Sequence, residues 1–214
     1  MPSTTFLIVR HAESAANAGA YFASQTDSPL TPRGEQQASR LAQALRTSHF
    51  DAIYSSDLLR CRDTIAPIAA GRSPVPIESP LLRERHMGAY TGLSFDAARA
   101  SDPTLWQRIV SRHPDAAPAG GESLREHSAR TATFLDGLVD RHEGHTVLLG
   151  SHGVTIQHLI RLLMGVDDLT VPIWFVVDNA SVSRIEVHGE RNRRHGRLVY
   201  ANRVVALDGD PPPF

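Results

Sequence analysis

The chain has 214 residues, 41% of them hydrophobic and 21% charged, with a formal net charge of −1. That composition suits one sizeable globular domain and supplies no global field for nucleic acid or an anionic membrane, so any affinity for anions must be local. No apolar run reaches the roughly 20 residues of a bilayer span, and no signal-like leader opens the chain, so a cytoplasmic protein is expected.

Cys61 is the single cysteine, which leaves no internal disulfide and no multi-cysteine metal site. Most of the eleven histidines are expected at the surface, and none has a metal-ligand context such as HExxH.

In chain order, FLIVRHAESAAN begins with an apolar run suited to a strand at residues 6–9, covered on both faces. Arg10, His11 and Glu13 then fall at the strand's C-terminal end, the sheet edge where α/β proteins bind ligands. A surface turn with solvated charges is the alternative. LTPRGEQQASRLAQAL predicts a helix: Thr31 caps it, Pro32 suits its first turn, Glu35 meets the positive end of its dipole, and Ala38, Leu41, Ala42 and Leu45 share a face. Further strands are expected at 52–54, 75–77, 146–149, 181–187 and 198–202. In GGESLREHSARTATFLDGLVDRH, Leu124, Thr131, Leu135, Leu138 and Val139 trace one face of a long helix with Glu122 in its first turn.

This alternation argues for a layered α/β domain over residues 1–206. Residues 88–121 read as an insertion of short helices and loops over the sheet. HGERNRRHGR reads as a solvated hairpin loop, and residues 207–214 as a frayed tail.

Three more stretches share the strand-end position of the first. YSSDLLRCRDT puts Arg60 in the first turn of a helix starting near Asp57, LLRERHMG places Glu84 in a loop, and GSHG ends a strand with Ser151, His152 and Gly153. Each alone is weak, but together they gather two histidines, two arginines and a carboxylate at one edge. That set suits phosphoryl transfer without a metal, because Arg10 and Arg60 match phosphate oxygens and stay charged. A neutral His11 can attack phosphorus. Glu84, if shielded or placed near a bound anion, can be held protonated as general acid and then serve as base for water. His152 can donate to the phosphoryl oxygens.

RHAESAAN resembles the RHG signature of the histidine phosphatase superfamily, also called phosphoglycerate mutase-like. PLTPRGEQQA, YSSDLLRCRDT, LRERHMG, GGES and GSHG are similar to that family's successive motifs, in order, through nearly the whole chain. The resemblance implies a three-layer, Rossmann-like α/β sandwich with a mostly parallel central sheet. It implies His11 as the phosphorylated nucleophile, Arg10, Arg60 and His152 as the phosphate pocket with Gly153 beside them, and Glu84 as proton donor. Asn17 matches a position that helps hold the phosphoryl group, Ser14 is a looser candidate, and Glu13 supports the pocket. No cofactor and no metal are implied. The partner implied is a small phosphorylated substrate, with neither nucleic acid nor membrane, and a homodimer is left open.

Ala12 departs from the usual glycine after the nucleophile, and a site demanding positive φ there would be strained. Thr91 stands where many members carry Glu. The family holds both hydrolases and mutases, and ERHMGAYTGLSFDAA resembles the mutase stretch in Arg85 and His86. Ser94 and Phe95, however, stand where those mutases carry Asn and a substrate-binding Lys. Arg108 and Arg112 form no dense basic cluster, which favours a phosphatase; a binding-only member is the third reading. Tyr21, Phe22, Tyr90 and Trp106 are candidates to line a mouth for an organic leaving group, with core packing as the alternative.

Overall fold

Along β1 (Ser3–Arg10), Phe6 and Ile8 point into one apolar cluster and Leu7 and Val9 into another, because successive side chains of a strand face opposite sides. The computed structural model describes residues 3–189 and 195–205. β2 (Ala52–Ser55) and β4 (Thr146–Ser151) divide in the same way, with Val147 and Leu149 on the first side and Ile53 and Leu148 on the second. Strands with both faces apolar belong in a central layer. Burial of each such side chain contributes about 1.5–3 kcal/mol.

The sheet has the order β3-β2-β4-β1-β5-β6, where β3 is Ile77–Glu78, β5 Ser181–His188 and β6 His195–Val204. β3, β2, β4 and β1 run parallel, and β5 and β6 continue the sheet antiparallel. The helices are α1 (Ala15–Ala18), α2 (Pro32–Ala44), α3 (Leu59–Ala69), α4 (Phe95–Ser101), α5 (Pro103–Val110), α6 (Leu124–Leu135), α7 (Leu138–Arg141) and α8 (Gly153–Leu163). Leu41 of α2 and Cys61 and Ile65 of α3 cover one face, while Phe134 of α6, Leu138 of α7 and Ile156 and Leu159 of α8 cover the other. The result is a three-layer α/β sandwich with a mostly parallel sheet. No helix of the described residues is long and apolar enough to cross a membrane.

Several expectations need correction. The strand expected at 75–77 is reduced to Ile77–Glu78, and Val75 is exposed beside Pro74 and Pro76, which have no amide hydrogen to add to a ladder. The single long helix is two, α6 and α7, because Gly137 adopts φ 66° and breaks the helical run. Glu122 precedes the Ser123 cap of α6 rather than lying in its first turn. Glu126 completes the capping box, and Glu122 instead binds Arg130 and the amide of His86. Five of the eleven histidines are buried: His11, His127, His142, His152 and His158. Part of HGERNRRHGR and all of the expected tail lie outside the described residues.

Within residues 88–121, α4 and α5 build a small cluster of their own from Met87, Tyr90 and Ala98, with Phe22, Leu93, Leu105, Trp106 and Ile109 against it. A short antiparallel strip ties this segment to the chain after α1. Phe22 donates its N–H to Leu93 O, Gly92 donates to Phe22 O, and Phe95 donates to Ala20 O at 2.8–3.1 Å.

Candidate active site

The strand register assembles the site. Arg10 lies opposite Ser151, and Ser55 opposite Gly150, so the residues that follow three parallel strands emerge side by side. His11 donates its N–H to Ser151 O at 3.0 Å, and Ser56 donates to Gly150 O at 3.0 Å. The rings of His11 and His152 consequently have centroids 5.0 Å apart. Gly150 lets α3 come down flush on the sheet, since a Cβ there would lie 2.5 Å from Cγ1 of Ile65. That close approach delivers Arg60, the second residue of α3, to the same edge.

His11 is buried, and its Nδ1 lies 2.8 Å from the carbonyl of its neighbour Ala12. A carbonyl only accepts, so Nδ1 carries the hydrogen and the lone pair resides on Nε2. Burial, with the charges of Arg10 and Arg60, holds the imidazole well below the usual histidine range and therefore neutral. Ala12 has no positive φ, so the departure from glycine brings no strain, and its own N–H is met by Thr64 Oγ1 at 2.9 Å.

The two arginines are braced by backbone carbonyls. Arg60 donates to Ser24 O at 2.8 Å and Thr26 O at 2.9 Å, and Arg10 donates from Nη1 to Val177 O. Carbonyls fix a guanidinium without cancelling its charge. Burial lowers both arginines from their ordinary value and Glu84 opposes the shift, and arginine starts high enough to stay charged. Ser24, which holds Arg60, adopts φ 53°, a left-handed conformation uncommon outside glycine that clusters at functional sites.

Glu84 takes the N–H of Arg85 on Oε1 at 2.9 Å and that of Val154, in the first turn of α8, on Oε2 at 3.3 Å. His152 caps the start of α8 with its Nε2 2.8 Å from Ser56 Oγ. Leu58 donates to the same Oγ at 3.3 Å; when the serine hydrogen points to Nε2, the His152 hydrogen is on Nδ1. His152 Nδ1 and Arg10 Nε are buried without a protein partner, and such donors are costly unless an acceptor meets them.

A cavity of about 180 Å³ is lined by Arg10, His11, Arg60, Glu84 and Arg85 together with Ser14, Asn17 and a largely apolar remainder, while His152, fully buried beside His11, and Gly153 are not among its lining residues. Asn17 spends its amide oxygen on Ser14 N and Oγ and on Asn179, which turns its NH2 group toward other acceptors. Ser14 is buried and its hydroxyl goes to Asn17. A Cβ on Gly153 would meet Arg10 and Glu84 at 3.7 Å, so the start of α8 sits between them. Glu13 accepts from Thr31 Oγ1 at 2.7 Å and anchors the start of α2. Tyr21 and Phe22 line the cavity, whereas Tyr90 and Trp106 belong to the small core beneath. His86 faces a different cleft, with Gly121 and Arg130.

Sequence reasoning missed Ser56, Thr64 and Asn179, whose Nδ2 donates to His11 O at 3.0 Å. Cys61, close to the site, is inert, because burial pushes its thiol up to about 11. Among the described residues, no three His, Cys, Asp or Glu side chains gather to hold a metal ion.

The fold and the pocket define an α/β protein that sets a neutral histidine among three guanidiniums and one carboxyl group at the edge of its sheet. The chain belongs to the histidine phosphatase superfamily, branch 1, whose description matches residues 6–197. It is 34% identical over 187 residues to phosphoserine phosphatase 1 of Hydrogenobacter thermophilus, covering 87% of this chain and 88% of that one. It is 32% identical over 183 residues to a protein of Shigella dysenteriae named as a probable phosphoglycerate mutase, covering 84% and 83%. A mycobacterial glucosyl-3-phosphoglycerate phosphatase has the same fold, with a TM-score of 0.81 at 26% identity over 94% of this chain and 99% of that one. The protein is accordingly a superfamily enzyme, phosphatase or mutase.

Proposed function

We propose that this protein is a metal-independent phosphomonoesterase that hydrolyses small phosphorylated metabolites through a phosphohistidine on His11. The observation that carries the reading is the Nδ1 contact to Ala12 O, which directs a neutral Nε2 lone pair to a pocket flanked by Arg10 and Arg60. In the first step Nε2 forms a bond to phosphorus as the ester P–O bond breaks, and the departing alkoxide takes a proton from Glu84. In the second, Glu84 takes a proton from water, whose oxygen attacks phosphorus and releases phosphate and His11. Arg10, Arg60 and His152 Nδ1 neutralise the equatorial oxygens. Asn17 and the backbone at Gly153 are the further phosphate contacts, and Ser14 holds Asn17. A cytoplasmic location belongs to the same proposal.

Phosphoglycerate mutase is the second reading, favoured by Arg85 in the pocket wall and by the Shigella relative. Phe95 supports hydrolysis instead, since an aromatic ring lines the cavity where the mutases that this stretch resembles carry a substrate-binding lysine.

The test is phosphate release from p-nitrophenyl phosphate by wild type and His11→Ala, in EDTA, from pH 5 to 8. Release that His11→Ala abolishes supports the proposal. No release from a folded wild type, or 3-phosphoglycerate isomerised faster than hydrolysed in the presence of a bisphosphoglycerate primer, overturns it.

A further inference from the structure

We infer that the pocket selects phosphomonoesters whose alcohol is apolar and uncharged, and discriminates against alcohols bearing a carboxylate. The inference rests on the proposed placement of the phosphate between Arg10, Arg60 and His11. Three guanidiniums line the cavity, Arg10, Arg60 and Arg85, against one carboxylate, Glu84. With Glu84 protonated, as the proposed first step requires, and His11 neutral, Arg10 and Arg60 match the charge of a phosphate dianion, and Arg85 is braced by the carbonyls of Glu122 and Ala116. A second anionic group on the substrate would have only the buried Arg85 among the lining residues, whose Nε and Nη2 are already spent on backbone carbonyls.

Beyond the phosphate end, the lining is mostly apolar, with Tyr21, Phe22, Ala23, Met87, Phe95 and Val154 beside the polar Ser24. Phe95 is 43% exposed although it is a large aromatic side chain, and it sits edge-on to Phe22 with ring centroids 4.8 Å apart. The strip joining residues 20–22 to 92–95 fixes both rings through backbone hydrogen bonds. Phe22 packs on the separate cluster of Met87, Tyr90 and Ala98 rather than on the main core, and Phe95 packs on Phe22. A prebuilt aromatic wall loses little entropy when an apolar group covers it. Covering it removes apolar area from water, whereas a carboxylate placed there loses hydration without gaining a partner.

Binding of non-hydrolysable phosphonates tests this independently of turnover. Calorimetric dissociation constants are compared for 3-phenylpropylphosphonate and 4-phosphonobutanoate on wild type, Phe95→Ala and Phe95→Lys, with thermal melts confirming folding. Wild type is expected to bind the phenylpropyl compound at least about tenfold more tightly, Phe95→Ala to erode that preference, and Phe95→Lys to shift it by about tenfold or more toward the carboxylate. Equal or tighter binding of 4-phosphonobutanoate by wild type, or no binding of either compound, would overturn the inference. The corresponding phosphate esters are assayed in parallel. If the phosphonate ranking holds and neither ester is hydrolysed, the phosphatase reading fails while the pocket preference stands.

Discussion

The carbonyl of Ala12 receives the Nδ1 hydrogen of His11 at 2.8 Å, so the proposed nucleophile is oriented by its own neighbour in the chain. Orientation costs nothing here beyond a local turn, and the burial that supplies it also keeps the ring uncharged.

The first prediction concerns that charge state. Burial, Arg10 and Arg60 all disfavour the imidazolium, so the His11 ring signal in the free protein should titrate below pH 6.5. Inorganic phosphate should move the midpoint upward, because an adjacent dianion favours the protonated ring. NMR of the imidazole Cε1–H signals, assigned with His11→Ala, reads both. A free-protein midpoint at or above 6.5 would contradict the electrostatic argument.

How much of this was legible in the sequence divides by distance along the chain. His11 and His152 directly follow strand ends, Arg60 lies in the first turn of α3 and Glu84 in the loop beyond β3, each with a local signature, and the parallel register brings those ends together. The α2 helix was legible through its Thr31 cap, which accepts from Gly34 N at 3.0 Å. Asn179 and Ser56 were not, since their contacts join positions 168 and 96 residues apart and leave no periodic trace. Phe95 was visible only as a departure from the mutase pattern, and its place in a wall depends on backbone pairing with Ala20. The break at Gly137 did have a signal, a glycine inside a helical pattern, that the apolar stripe outweighed.

Ser56 holds the second histidine. Ser56→Ala removes the hydroxyl from His152 Nε2, so the single ring hydrogen can move from Nδ1 to Nε2 and the donor proposed for the phosphoryl oxygens is lost. We expect kcat/KM to fall by roughly ten- to a hundredfold, with the inhibition constant of inorganic phosphate rising in parallel. An unchanged phosphate constant would remove His152 from phosphate binding.

Glu84→Gln keeps the shape of the side chain but loses the transferable proton. Alkyl phosphates, whose alkoxides need protonation on departure, should slow by about a hundredfold or more, and activated aryl phosphates much less. Steady-state rates on 3-phenylpropyl and p-nitrophenyl phosphate decide it. Equal losses on both would place the proton donor elsewhere.

The last prediction concerns acid stability and the histidines that serve no proposed catalytic role. His158 is completely buried, neither ring nitrogen has a protein partner, and its ring lies 5.0 Å from that of His127. Burial comes first, followed by the charges of Arg161, Arg85, Arg112 and Arg130, in lowering His158 to about 4. The unfolded chain, with histidine near 6.5, therefore binds more protons than the native state between those values. Stability from this group is complete above pH 6.5 and is lost as pH falls toward 4, by about 3 kcal/mol at most. Urea unfolding midpoints should drop steadily over that interval. His158→Leu should flatten the slope by up to one proton's worth whatever its own effect on stability at pH 7. An unchanged slope would mean that His158 is not the group that titrates.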